Sequence, residues 1–212
     1  MAQTLAALIE RAEGTFIRVL RTHPEVQKAL VYADAAHRAL DQRRKYTGKP
    51  YIEHPRMVAS LLLLPRPDPD KIIPALQAAL LHDVVEDTSI TLDDLSEHFD
   101  GRVVSLVSEL TEPDSPDHWY NLGIKRPNRA TRRAQEVERR ATISPTGQTI
   151  SCADIIANSH DIVDVADKEF ALMYQGELMD RLQAMTRADP VLWDLAHATL
   201  SANLKRLELT NA

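Results

Sequence analysis

The chain has 212 residues, 25 Lys and Arg against 31 Asp and Glu, a formal net charge of −6 at pH 7 and one cysteine. A chain of this length suits one domain that buries a core without staples. The acidic balance argues against broad nucleic-acid binding, and the lone Cys152 excludes a disulfide framework or a multi-thiolate zinc site.

No apolar run approaches the ~20 residues of a membrane span. The N-terminus, "MAQTLAALIERAEG", lacks a basic start and a cleavage site. The expectation is a soluble cytoplasmic protein with neither a membrane nor a nucleic-acid partner. Few glycines and plentiful Ala, Leu, Glu and Arg favour helix over sheet, so the fold is predicted to be all-α.

Apolar residues recur at three- and four-residue spacing, as in Ala29, Ala33, Ala36 and Leu40. In chain order this predicts helices over 3–21, 24–45, 55–64, 71–87, 92–99, 101–111, 128–141, 148–166, 168–186 and 190–209. Pro24 and Pro55 suit first helical turns. Thr91 followed by Asp94 resembles a capping arrangement, and Gly101 divides two short helices. "LPRPDPD" at 64–70 reads as a Pro-rich loop, and "TEPDSPDHWYNLGIKRPN" at 111–128 is the longest irregular stretch, the kind of long loop that is often a functional lid or a disordered segment.

The segment "LLHDVVEDT", Leu80 to Thr88, places four polar groups at the end of one of the most apolar helices. Burying charge is unfavourable unless it is paired or bound to a metal. At roughly 100° per residue, Glu86, Asp83 and Asp87 all fall on the same side of the helix as His82. Two roles fit: metal ligation by His82 and Asp83, and water handling or substrate positioning by Glu86 and Asp87. Two further groups stand in apolar surroundings, His54 in "YIEHPRMVA" and Asp154 in "SCADIIANSHDI", where Asp154, Asn158 and Asp161 form a polar stripe. Taken singly, each reads as a core, capping or solvated residue. Together, two imidazoles and two carboxylates suit Mn²⁺, Fe²⁺, Zn²⁺ or Mg²⁺. Such an ion would compensate the buried charge.

Between Lys125 and Arg140 there are seven Lys or Arg and two Glu, and "QRRK" at 42–45 is a second basic cluster. Each is a solvated helix face or one side of a site for a compact polyanion. His37 reads as a packing group or one that orients the basic loop. His98, His118, His160 and His197 read as structural or exposed, Cys152 as a small core residue. Trp119 and Tyr120 suit base stacking or packing against the core.

The blocks "RRKYTGKPYIEHPRMVA" (43–59), "LQAALLHDVVEDTSITLDDLSEHF" (76–99) and "CADIIAN" (152–158) resemble the HD superfamily of metal-dependent phosphohydrolases. More narrowly, they resemble the hydrolase domain of the RelA/SpoT family and its small stand-alone alarmone hydrolases, including the metazoan SpoT homologues. The resemblance covers roughly 30–165 of a single domain over 1–212 and implies an HD-type helical bundle with added C-terminal helices over 166–212. Those helices are left open as a cover for the site, a homo-oligomer contact or a partner surface.

The resemblance implies one divalent ion, usually Mn²⁺, on His54, His82, Asp83 and Asp154, with Glu86 and Asp87 activating and orienting the attacking water. Arg43, Arg44 and Lys45 would face the substrate, Tyr51 the nucleotide pocket and Asn158 the ribose or phosphate region; Arg132 and Arg133 are weaker substrate contacts. The implied activity is removal of 3′-pyrophosphate from a small nucleotide, (p)ppGpp, linked to the stringent response. Ile155 and Ala157 depart from the family's A-D-[KR]-L-x-N pattern, which opens the choice of base to (p)ppApp. The alternatives are an HD phosphohydrolase of another nucleotide and an alarmone-binding module without turnover.

Overall fold

The computed structural model describes residues 4–65, 69–112, 125–163 and 167–209, and among these it is all-helical apart from one isolated bridge between Arg43 and Pro50. In order, the helices are α1 (Leu5–Thr22), α2 (Pro24–Ala39), α3 (Glu53–Leu61), α4 (Pro69–Leu81), α5 (Val84–Asp87), α6 (Leu92–Ser96), α7 (Gly101–Leu110), α8 (Arg129–Thr142), α9 (Pro145–Ile162), α10 (Lys168–Ala184) and α11 (Pro190–Leu209). None of these helices is long and apolar enough to cross a membrane.

Local chemistry sets many of the ends. Thr91 and Asp94 form a reciprocal capping box at α6. The Asn128 side chain accepts from Thr131 N at 2.9 Å to start α8, and Ser144 Oγ accepts from Gly147 N at 3.1 Å beside Pro145 at the start of α9. Asp167 likewise caps α10 through the N–H groups of Glu169 and Phe170.

Two of the predicted helices break off early in ways that serve the site. The helix predicted over 24–45 stops at Ala39. Beyond it Asp41 and Gly48 hold φ of 46° and 68°, left-handed conformations that turn the chain. The basic residues Arg43, Arg44 and Lys45 therefore stand on a loop pinned by the Arg43–Pro50 bridge. The helix predicted over 71–87 breaks after Leu81, leaving His82 and Asp83 at the joint between α4 and α5.

α4 and α9 form the centre. α4 packs on α2, α3 and α7, while α9 packs on α3, α10 and α11. Small side chains on the facing helices, Ala29 and Ala33 on α2 with Ala75, Ala78 and Ala79 on α4, are buried and let the helices approach closely. Leu61, Leu76, Leu80, Ile150 and Ile156 fill the space between. Each fully buried aliphatic side chain contributes about 1.5–3 kcal/mol. The core thus holds the start of α3, the α4–α5 joint and the middle of α9 in fixed relation.

Candidate active site

Those three places carry His54, His82 with Asp83, and Asp154. One ligand atom each from His54, His82 and Asp154 lies within 4.8 Å of the others. His54 Nε2 is 3.0 Å from Asp154 Oδ1, and His82 Nε2 is 3.7 Å from the same oxygen. Asp83 stands beside the trio, with Oδ1 3.2 Å from His82 Nε2 and Oδ2 3.5 Å from His54 Nε2.

A carbonyl oxygen accepts the His82 Nδ1 proton, that of Ala79 at 2.8 Å. This fixes the ring and aims Nε2 at the carboxylates, yet Nε2 is buried without a hydrogen-bond partner among the described residues. A buried ring nitrogen facing two carboxylates, with its other nitrogen held by a carbonyl, fits a cation between them. Burial alone would lower the His82 pKa, but Asp83 and Asp154 outweigh it and push it up to about 10. Burial also raises the Asp154 carboxyl; here the two imidazoles prevail and hold it well below the usual carboxylate range. The site's electrostatics thus call for positive charge. Its donors, imidazole and carboxylate without thiolate, suit a divalent ion of hard to borderline character.

The same cavity, about 210 Å³, is lined by Glu86 together with Tyr51, Glu112, Arg133, Asn158 and Arg181. Glu86 is an exposed residue on the wall of this cavity, and its carboxylate accepts from the Glu112 N–H. Burial of that carboxyl and the nearby Asp83 push its pKa up to about 8. Asp87 departs from the expectation. The break after Leu81 turns it out of this cavity, and its Oδ2 accepts from Gln42 Nε2 at 2.7 Å. Gln42 Oε1 in turn accepts from His37 Nδ1 at 2.7 Å, so His37 and Asp87 both steady the basic loop. Tyr51 donates to Asp83 Oδ2 at 2.8 Å; burial and the Asp83 charge keep its hydroxyl protonated.

An adjoining cavity of about 360 Å³ shares Tyr51, Asn158 and Tyr174 with the first and is lined by Arg43, Arg44, Lys45, Tyr46 and Phe170. Asn158 joins the two halves: its Nδ2 donates to Asp154 Oδ1 at 2.6 Å and its Oδ1 accepts from Arg44 at 3.2 Å. Phe170 stacks on Tyr174 with centroids 5.8 Å apart at 12°, and Lys45 Nζ lies over the Tyr46 and Phe170 rings. A larger apolar cleft of about 420 Å³, lined by Leu62, Ile72, Ile150 and Pro190 among others, holds none of the imidazoles, so volume alone does not mark the chemistry.

Arg132 and Arg133 separate, because adjacent helical residues point about 100° apart. Arg133 lines the metal cavity, whereas Arg132 donates to the Pro127 carbonyl at 2.7 Å and lines neither cavity. Ile155 and Ala157 are buried in the core and line neither cavity either. Cys152 is fully buried, His98 packs on Tyr32 with centroids 5.4 Å apart, and His197 stacks on Trp193 at 5.2 Å. His118, Trp119 and Tyr120 lie outside the described residues.

Sequence reasoning missed Glu112, Tyr174 and Arg181, and passed over Arg140 within its basic cluster. A signal existed for two of them: Tyr174 and Arg181 share one face of α10 with buried Leu178 and Leu182, so that apolar stripe carries two polar groups. Arg140 is a buttress. Its guanidinium donates to Glu136, to Ser151 Oγ at 2.8 Å and to the Leu110 carbonyl at 2.9 Å.

The sequence pattern of the HD domain family matches residues 29–156. The chain belongs to this family. Among HD-domain relatives, the guanosine-3′,5′-bis(diphosphate) 3′-pyrophosphohydrolase MESH1 of Mus musculus is 39% identical over 140 residues, covering 65% of this chain and 71% of the relative. MESH1 of Homo sapiens is 37% identical over the same shares, and that of Drosophila melanogaster 32% identical over 68% of this chain and 73% of its own. A solved HD-domain structure, described as a metazoan ortholog of SpoT that hydrolyzes ppGpp and plays a role in starvation responses, superposes with a TM-score of 0.66 at 25% identity, covering 89% of this chain and 96% of that one.

Proposed function

We propose that this HD-domain protein is a metal-dependent hydrolase that removes the 3′-pyrophosphate of (p)ppGpp. The observation that carries the reading is one cavity holding the His54, His82 and Asp154 ligand atoms within 4.8 Å and Glu86 on its wall. The relatives with that printed activity support it.

His54, His82 and Asp154 would hold a divalent ion, with Asp83 beside them, and we take Mn²⁺ as that ion. When bound, such an ion acidifies water and polarises a phosphoryl oxygen. Glu86, with a carboxyl near the working pH, accepts the proton of the attacking water. The new P–O bond forms to the water oxygen and the bond from phosphorus to the 3′ oxygen breaks. That oxygen takes up a proton, leaving GDP or GTP and free pyrophosphate. Tyr51 fixes Asp83, and Asn158 ties Asp154 to Arg44 beside the phosphates. Asp87 acts through Gln42 on the basic loop.

Aromatic stacking tolerates either purine. The rings of Tyr46, Phe170 and Tyr174 therefore support (p)ppApp as a second substrate. The proposal includes a cytoplasmic setting, since a nucleoside polyphosphate does not cross membranes unaided.

The test is to incubate the purified chain with Mn²⁺ and ppGpp or ppApp and separate the products by anion exchange. Pyrophosphate with a nucleoside 5′-diphosphate is expected. Orthophosphate, or tight binding without turnover, would point to another nucleotide or to a binding module.

A further inference from the structure

Arg181 is 9% exposed and lines the metal cavity from α10. A guanidinium carries five N–H donors, and those of Arg181 border the cavity, since none of its nitrogens is a sealed-off donor without a partner. The Arg181 guanidinium makes no hydrogen bond to any described residue. Its ion pair, Nη1 to Glu112 Oε1, spans 3.7 Å, too long for one.

Arg133 faces the same carboxylate in a similarly loose way. Its Nη1 is 3.3 and 3.5 Å from the two Glu112 oxygens, and its buried Nε has no hydrogen-bond partner, lying 3.6 Å from Glu177 Oε2. Nearby pairs that serve the fold look different. Arg129 grips Glu177 through two bonds of 2.8 Å, and Arg140 has three acceptors. Two guanidinia therefore line the cavity around one carboxylate that leaves donors of both unused.

We propose that Arg181 and Arg133 form the subsite for the 3′-pyrophosphate of the substrate, where the Glu112 carboxylate stands until the substrate's oxyanions replace it. The assignment to that diphosphate rests on the hydrolase reading. Guanidinia pair with phosphate oxygens by parallel N–H donation, and a diphosphate has enough oxygens to engage both forks at once. The phosphorus under attack must lie near His54, His82 and Asp154, in the cavity that Arg181 and Arg133 line. The nucleoside and its 5′-phosphates then fall to the adjoining cavity with Arg44 and Lys45. Recognition is thereby split between α8 and α10 for the pyrophosphoryl group transferred to water and the 43–45 loop for the nucleotide.

The experiment is isothermal titration calorimetry of the full chain at fixed Mn²⁺, with inorganic pyrophosphate and GDP as separate probes. Arg181→Met should weaken pyrophosphate about tenfold or more, the scale of lost charge-assisted hydrogen bonds, while GDP affinity stays within about twofold. Arg181→Lys should recover part of the loss. Glu112→Gln should tighten pyrophosphate several-fold, because it removes the competing charge and keeps the backbone contact to Glu86. Thermal melts check that each variant is folded. Unchanged pyrophosphate binding in Arg181→Met, an equal loss of both probes, or weaker binding in Glu112→Gln overturns the subsite. A wild-type chain that binds pyrophosphate through Arg181 but releases none from ppGpp overturns the hydrolase reading and leaves the anion site standing.

Discussion

His82 gives its Nδ1 proton to the carbonyl oxygen of Ala79, one helical turn earlier, at 2.8 Å. The break after Leu81 makes this possible while Nε2 points at Asp83 and Asp154. The carbonyl can only accept, so the tautomer with a bare Nε2 is the neutral form that a cation selects.

Metal uptake should therefore release a proton. The His82 pKa stands at about 10 without an ion, so at pH 7 Nε2 carries a proton that an arriving cation displaces. Metal affinity is expected to rise with pH up to about that value. Calorimetry of Mn²⁺ binding in buffers of different ionisation enthalpy should give a slope of about one proton, and His82→Gln should remove it. A buffer-independent enthalpy in the wild-type chain would sink the assignment.

Glu86→Gln should lower kcat by about 10²–10⁴ and leave metal content unchanged. The carboxyl must be ionised to accept a proton, and in the metal-free protein it titrates near 8. A bound cation lowers that value, so activity should rise with pH through a limb at or below 8, which the variant lacks. A fully active Glu86→Gln chain would remove Glu86 from the proton transfer.

The clustering of His54, His82, Asp83 and Asp154 was legible because they are charged or titratable groups in apolar company. The single helix read over 71–87 was misleading. Its continuous periodicity hid the joint at His82–Asp83, and with it the turning of Asp87 toward Gln42, 45 residues away in sequence. Glu112 was invisible for a related reason: two residues past the end of α7 it reads as loop, and its place between Arg133 and Arg181 is a meeting of three distant segments. The C-terminal helices were left open, and part of the answer is now concrete. α10 walls both cavities through Tyr174, while α11 backs α9 and α10.

Cys152 lies two residues from Asp154 yet should be inert. It is buried on the core side of α9, and burial pushes its thiol up to about 12, so almost no thiolate exists at neutral pH. Ellman's reagent at pH 7.5 should react with the native chain no faster than the chain unfolds, and promptly in guanidinium. Rapid labelling of the native protein would show the thiol to be accessible.

The buttress behind the site sets a pH-dependent part of stability. Glu136 is 5% exposed and accepts from Arg139 at 2.8 Å and from Arg140, which in turn holds Leu110 and Ser151. Burial raises its carboxyl pKa, but the Arg140 and Arg139 guanidinia outweigh burial and hold it below its ordinary value. A carboxyl depressed in the folded state stabilises fully above its unfolded pKa of about 4.3 and loses that contribution as pH falls through the folded value. Removing one partner of a buried pair leaves the other uncompensated, at about 3–5 kcal/mol. Urea unfolding of Glu136→Gln should show a deficit of that order at pH 7, steady down to about pH 5 and shrinking below about 4.3 as the wild-type carboxyl protonates. A deficit that grows with acid would reverse the sign of the linkage and assign the stability to another group.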